Sequence, residues 1–220
     1  MTKENEHLIF LVRHGATWEN EHGICQGSRV DPQLSPNGKI QAMQLGMFLR
    51  AYCQNKNIQF PTLIVSSHLK RARETASILS SHCFPPQHIC THGVANDLGE
   101  LNHGTWDGKT WDEIRKEFPE EYRQYNEEYL MMRYPNGESV SEGFVRIIPT
   151  FQKLLSWWPD GNIIIAAHGG TNHIIISTIL QTRNLQSFRQ SNTGLTIISH
   201  RPNHIIPFCI DVLNSTAHLV

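Results

Sequence analysis

Five cysteines in 220 residues, an odd number with no CxxC pair, argue against a disulfide framework or a structural zinc site and suit a reducing compartment. Charge of one sign is missing too. Nineteen Lys and Arg against 20 Asp and Glu leave a formal net charge of −1, so no overall field draws nucleic acid or an anionic membrane. No apolar run approaches the ~20 residues of a membrane span. "MTKENEHLIFLV" has neither a basic n-region nor an apolar stretch long enough for a signal peptide. HxH, HExxH and Cys-rich ligand spacings are absent, as are repeats, low-complexity tracts and any composition break that would mark a linker. The expectation is one cytoplasmic domain over residues 1–220, without metal or cofactor. Its partner is a small molecule rather than nucleic acid or membrane, and any anion must be met by a local cluster of cations.

Strong apolar runs bounded by turn residues occur at 7–12, 62–67, 162–168, 194–200 and 204–213. The first three are continuous rather than alternating, as expected of strands covered on both faces. The last two, joined by "RPN", read as a hairpin, with Pro207 marking an edge. A weaker run at 88–95 adds a candidate strand. Between them lie helical patterns: one after Ser35 and Pro36 carrying Ile40, Met43, Leu45, Met47, Phe48 and Leu49, one in "SHLKRARETASILSS", one in "TNHIIISTILQ". Ser139 and Glu142 have capping-box spacing ahead of Phe144, Ile147, Ile148, Phe151, Leu154 and Leu155. Strands alternating with helices predict a three-layer α/β/α sandwich around a mostly parallel sheet with one antiparallel edge strand. Residues 101–137, polar and rich in aromatics, read as a small helical cap insertion over the ligand edge.

Four strand-to-helix junctions carry unusual polar residues. They are Arg13-His14-Gly15 with Asn20 following, Arg71 in "SSHLKRARETA", Glu100 in "DLGELNHGTWDG", and His168 in "AHGGTNH". Side chains at the carboxyl ends of parallel strands converge on one crevice. Arginine forks match phosphate oxygens, and helix N-termini with small residues, as at Ser67 and Gly169-Gly170, offer N–H groups to the same anion. A neutral imidazole beside phosphate is a competent nucleophile, kept unprotonated by neighbouring arginines. A carboxylic acid can protonate the leaving group and then deprotonate water. Gly15 is read as permitting a sharp exit from the strand.

The blocks "LVRHGATWEN", "QGSRVDPQLSPNGKIQA", "VSSHLKRARETA", "LGELNHGTWDG", "YPNGES" and "AAHGGTNH", in this order over nearly the whole chain, resemble the histidine phosphatase superfamily, the RHG group that includes cofactor-dependent phosphoglycerate mutases. The resemblance implies that His14 is the phosphorylated nucleophile and Glu100 the proton donor. It implies further that Arg13, Arg71 and His168 clamp the phosphoryl group, that Asn20 and Gln26 approach it, and that Gly27 and Gly169 belong to the binding set. It requires no metal, since arginines neutralise the charge. "ELNHGTWDG" and the Gln26-Gly27 pair are similar to the phosphatase branch, so hydrolysis of small phosphate monoesters is expected. A phosphoglycerate mutase and a catalytically inactive phosphate-binding module are the alternatives.

Other residues carry simpler readings. Trp106, Trp111, Tyr122, Tyr125, Tyr129 and Tyr134 could stack on an organic leaving group, although packing of cap onto domain accounts for most of them. Arg29 and Arg133 are candidates for a second acidic group, His103 and His173 for a supporting shell. Cys25 reads as a small buried thiol, and Arg73 points away from Arg71 toward solvent or Glu74.

Overall fold

The structure, a computed structural model, describes residues 6–158, 161–182 and 189–219; the leader reading of the first five residues lies outside them. Among the described residues the elements run β1 (His7–Arg13), α1 (Trp18–Glu21), α2 (Pro36–Lys56), β2 (Leu63–Ser67), α3 (Lys70–Cys83), β3 (Thr91–Ala95), α4 (Trp111–Glu117), α5 (Pro119–Glu127), α6 (Val140–Trp157), β4 (Ile163–Ala167), α7 (Gly169–Leu180), β5 (Leu195–His200) and β6 (Phe208–Ser215). They form a six-stranded sheet in the order β3-β2-β4-β1-β5-β6. The first four strands in that order are mutually parallel, and antiparallel pairing is confined to the far edge. There β5 runs against β1, and β6 outside it pairs antiparallel with β5.

Alternation along the strands divides the core into two layers. Ile9, Leu11, Val65, Ile163 and Ile165 face one side, with α6, α7 and the segment bearing α4 and α5. Phe10, Val12, Ile64, Ile164 and Ala166 face the other, with α2 and α3. Full burial on both faces explains why these strands read as uninterrupted apolar runs. Each isoleucine so buried contributes roughly 1.5–3 kcal/mol relative to exposure.

Local signals at helix starts translate directly. Ser35 accepts a hydrogen bond from the Gly38 N–H, with Pro36 at the first helical position. Ser139 and Glu142 form the reciprocal capping box of α6. The buried face of α2 differs from the expected one: Gly38, Ala42, Leu45, Gly46, Leu49 and Cys53 are inside, while Ile40 and Met47 are exposed. Packing against α3 is close, so the small residues, not the largest apolar ones, define the inner stripe. The final strand begins at Phe208 rather than at 204, because Pro207 has no N–H for a ladder, and β3 spans only 91–95. No described helix is long and apolar enough to cross a membrane.

Candidate active site

Sheet register alone sets two histidines side by side. Arg13 pairs with Ala167 at the parallel ends of β1 and β4, so His14 and His168 leave the sheet at the same level. Their ring centroids lie 5.2 Å apart. The His14 N–H donates to the Ala167 carbonyl, and its own carbonyl accepts from the Thr193 N–H and the Asn192 amide. Thr193 holds a φ of +53°, unusual for a β-branched residue, and its N–H also reaches the Arg13 carbonyl.

The ring of His14 is oriented by its neighbour. Nδ1 lies 2.8 Å from the Gly15 carbonyl, which can only accept, so Nδ1 carries the proton and Nε2 keeps its lone pair. Burial, followed by the charges of Arg71 and Arg13, holds this imidazole well below the ordinary histidine range. Gly15 itself has no left-handed φ. What excludes a side chain there is proximity: a Cβ would sit 2.5 Å from the Gly38 carbonyl at the start of α2. The strand exit therefore depends on close approach between two backbones, not on a glycine-only turn.

His168 is fully buried, its Nε2 2.6 Å from Ser67 Oγ at the end of β2, and burial followed by Arg71 depresses its pKa well below the usual range. Arg71, in the first turn of α3, is likewise fully buried. Its Nη1 and Nη2 donate to the carbonyls of Val30 and Gly27, while Nε has no hydrogen-bond partner among the described residues. Arg13 donates through Nη1 to the Gln190 carbonyl and also keeps a buried Nε unpartnered. Two orphaned guanidinium donors beside a neutral imidazole mark an anion site.

Glu100 brings a carboxyl group to the same cavity. It accepts from the backbone N–H groups of Gly170 (3.1 Å) and Thr171 (3.3 Å), in the first turn of α7, and from its neighbour Leu101. The N–H groups of Gly170 and Thr171 thus serve this carboxyl group rather than an open anion site, which differs from the expected use of Gly170. A Cβ on Gly170 would fall 2.5 Å from Glu100 Oε1, which accounts for the second glycine.

Asn20 accepts on its carbonyl oxygen from Thr17 and from Asn192, while its donor end has no partner among the described residues. Gln26 donates from Nε2 to Thr17 Oγ1 and leaves a buried, unpartnered Oε1. That oxygen is an acceptor, so it suits a water or a substrate hydroxyl better than a phosphate oxygen. Gly27 acts through its backbone, donating to Asp107 and accepting from Arg71.

A cavity of about 410 Å³ opens onto this set. Arg13, His14, Asn20, Gln26, Glu100 and Gly169 line it, while Arg71 and His168 lie beneath. Its wall is aromatic: Trp111, Tyr122, Tyr125, Tyr129 and Tyr134. Packing alone accounts for Trp106, which is fully buried; the other five pack together and also face the cavity. The half-buried Tyr125 is pushed up to about 12 by desolvation, so its phenol stays a donor at neutral pH. His103 and His173 reach the lining. Arg29 and Arg133 are exposed and outside it, Arg133 paired with Glu142, and the exposed Arg73 lies beside a Glu74 that is bound to Lys39. Sequence reasoning missed the 189–194 stretch, which supplies Arg189 and Gln190 to the lining and Asn192 and Thr193 to the His14 backbone. Its only signal was "SNTG", a turn ahead of a strand.

Comparison with known proteins identifies a family. The family model described as histidine phosphatase superfamily (branch 1) matches residues 9–207. A Bacillus subtilis protein named uncharacterized phosphatase PhoE is 29% identical over 191 residues, covering 86% of each chain. A metal-independent phosphoserine phosphatase of Arabidopsis thaliana is 27% identical over 212 residues, 96% of this chain and 82% of that one. The solved structure of Bacillus stearothermophilus YhfR superposes with a TM-score of 0.83 at 25% identity, over 97% of this chain and all of the other. With the family model spanning both strand-end histidines and the carboxylate between them, the chain belongs to the histidine phosphatase superfamily, branch 1.

Proposed function

We propose that this protein hydrolyses small phosphate monoesters through a phosphohistidine on His14, without a metal. The observation that carries the reading is the tautomer of His14: Nδ1 is committed to the Gly15 carbonyl, which leaves Nε2 unprotonated in a cavity shared with Glu100. Nε2 attacks phosphorus as the bond to the ester oxygen breaks, and Glu100, entering as the carboxylic acid, gives its proton to the departing alkoxide. Glu100, now the carboxylate, then takes a proton from water; the water oxygen attacks phosphorus and the P–N bond breaks. Inorganic phosphate leaves, with His14 neutral and Glu100 protonated again. Arg13 and Arg71, two fixed cations with free Nε donors, offset the charge that develops on the phosphoryl oxygens.

The phosphatase names of the relatives support hydrolysis over transfer, and the aromatic wall supports an organic leaving group. The test is rapid quench with a labelled phosphomonoester. Acid-labile label that disappears in His14→Gln is expected, and label retained in that variant would overturn the assignment. Product analysis with 3-phosphoglycerate separates the alternatives: free phosphate is expected, whereas 2-phosphoglycerate indicates the mutase, and no turnover of any ester indicates a binding module. Chelators are expected to leave turnover unchanged.

A further inference from the structure

Three side chains next to the phosphoryl site are left unused by this chemistry. Cys25 Sγ lies 3.2 Å from His103 Nδ1, and a carboxylate oxygen of Asp107 completes a set of donors that all lie within 4.8 Å of one another. Two neighbouring segments hold them in place: the Cys25 N–H donates to the Lys109 carbonyl, and the Gly108 N–H donates to that of Cys25. Asp107 Oδ1 accepts from the Gly27 N–H. Its Oδ2 is buried with no hydrogen-bond partner among the described residues. Cys25 and His103 are only 2% and 9% exposed, and both line the cavity that holds His14.

A thiol–imidazole hydrogen bond would explain the first pair but leaves the carboxylate oxygen orphaned, an arrangement that buried polar groups generally avoid. A shared cation satisfies all three. Ordinary zinc–ligand lengths and a tetrahedral angle set sulfur and nitrogen about 3.6 Å apart, close to the separation seen, and the carboxylate needs to close by about an ångström. Sulfur, imidazole and carboxylate together favour zinc-type ions over magnesium or calcium, which take oxygen ligands. We propose that Cys25, His103 and Asp107 form a three-ligand site for a thiophilic divalent cation, its fourth position left to water. The site stands apart from the His14 reaction and does not depend on it.

Cobalt(II) titration of the full-length, chelator-treated protein tests this, followed by displacement with zinc. The expected result is a saturable one-to-one complex with a near-ultraviolet thiolate-to-cobalt band, abolished by zinc. Cys25→Ser removes that band; Asp107→Asn, which keeps an acceptor for the Gly27 N–H, and His103→Gln weaken binding by more than about 100-fold, since even the loss of an outer partner of a ligand costs that order. Cys209→Ser, at the exposed cysteine, leaves the band unchanged. Absence of the band, its survival in Cys25→Ser, its loss in Cys209→Ser, or undiminished affinity in Asp107→Asn each overturns the proposal. Should Cys25→Ser fail to fold, the Asp107 and His103 variants still decide it.

Discussion

On the floor of the cavity, His14 is tied through its own backbone to the end of β4 and to the 191–194 turn, and Arg71 through both terminal nitrogens to main-chain carbonyls. On the wall, Trp111, Tyr122 and Tyr125 are half-buried, and α5, which carries two of them, has no fully buried residue. The floor is built from backbone hydrogen bonds whose lengths the sheet dictates. The wall is built from rings in contact, which can re-pack. On the proposed reading, chemistry that tolerates little misplacement would sit on strand ends, and the surface that meets the variable part of a substrate on short helices. Floor variants should then cost turnover according to the chemistry of the ester and not its size, and wall variants should cost KM for large esters only.

Glu100→Gln should show the largest effect that still leaves a measurable enzyme. An amide cannot donate the proton, and its NH2 group must face either the Gly170 N–H at one oxygen's place or the Thr171 and Leu101 N–H groups at the other's. Alkyl phosphates should lose about 10²–10⁴-fold in kcat, and aryl phosphates, whose leaving groups need no proton, far less. Equal losses for both would remove Glu100 from the acid's place. Arg71→Lys comes next. A single ammonium cannot serve the Val30 and Gly27 carbonyls and also present a fixed cation, so about 10²–10³-fold in kcat/KM is expected, independent of ester size. A loss seen only with bulky esters would place Arg71 functionally with the wall.

The floor was also the part most legible in the sequence. Three uninterrupted apolar runs, each ending in a cation, an imidazole or a serine, are sufficient to put His14, His168 and Ser67 together once the strands are parallel and in register. Glu100 was readable from its block but not its fixing, because its partners Gly170 and Thr171 are seventy residues away. The wall was half legible. Aromatic density announced packing, but which rings also face a cavity depends on how α4 and α5 lie over the sheet, and no periodicity encodes that. The 189–194 turn and the Cys25–His103–Asp107 group were invisible for the same reason: they exist only through long-range contact. The inner stripe of α2 misled because Gly38, Ala42 and Gly46 were chosen by the nearness of their neighbours, not by hydrophobicity.

The floor carries a pH signature that the wall lacks. His14, His168 and His103 are buried and held below the ordinary histidine range, chiefly by burial. The unfolded chain takes up protons near pH 6.5 that the native state refuses, so their contribution is complete above that value and is lost as pH falls toward the depressed folded values. Each such histidine therefore costs stability below about pH 6.5, by an amount set by how far its folded pKa is depressed. Denaturant unfolding should show lower stability at pH 5 than at pH 7.5, with a smaller drop in His103→Phe. Stability unchanged across that interval would mean that these rings are solvated or charged in the folded state.

Tyr122→Leu is the smallest effect and the sharpest probe of the division. Tyr122 lines the cavity from α5, half-buried, with its ring 6.4 Å from that of Tyr125. Leucine keeps apolar volume but removes the flat face, and an aromatic contact is worth about 0.5–1.5 kcal/mol beyond its area. KM for an ester with a ring-bearing leaving group should therefore rise roughly 3- to 10-fold, with kcat and the kinetics of a small alkyl phosphate unchanged. The reason is physical: no hydrogen bond runs from Tyr122 to His14, Arg13 or Glu100, and the floor is fixed by β-strand ends that α5 does not set. A fall in kcat for the small ester would show that the wall positions the floor after all, and the two regions would have to be treated as one.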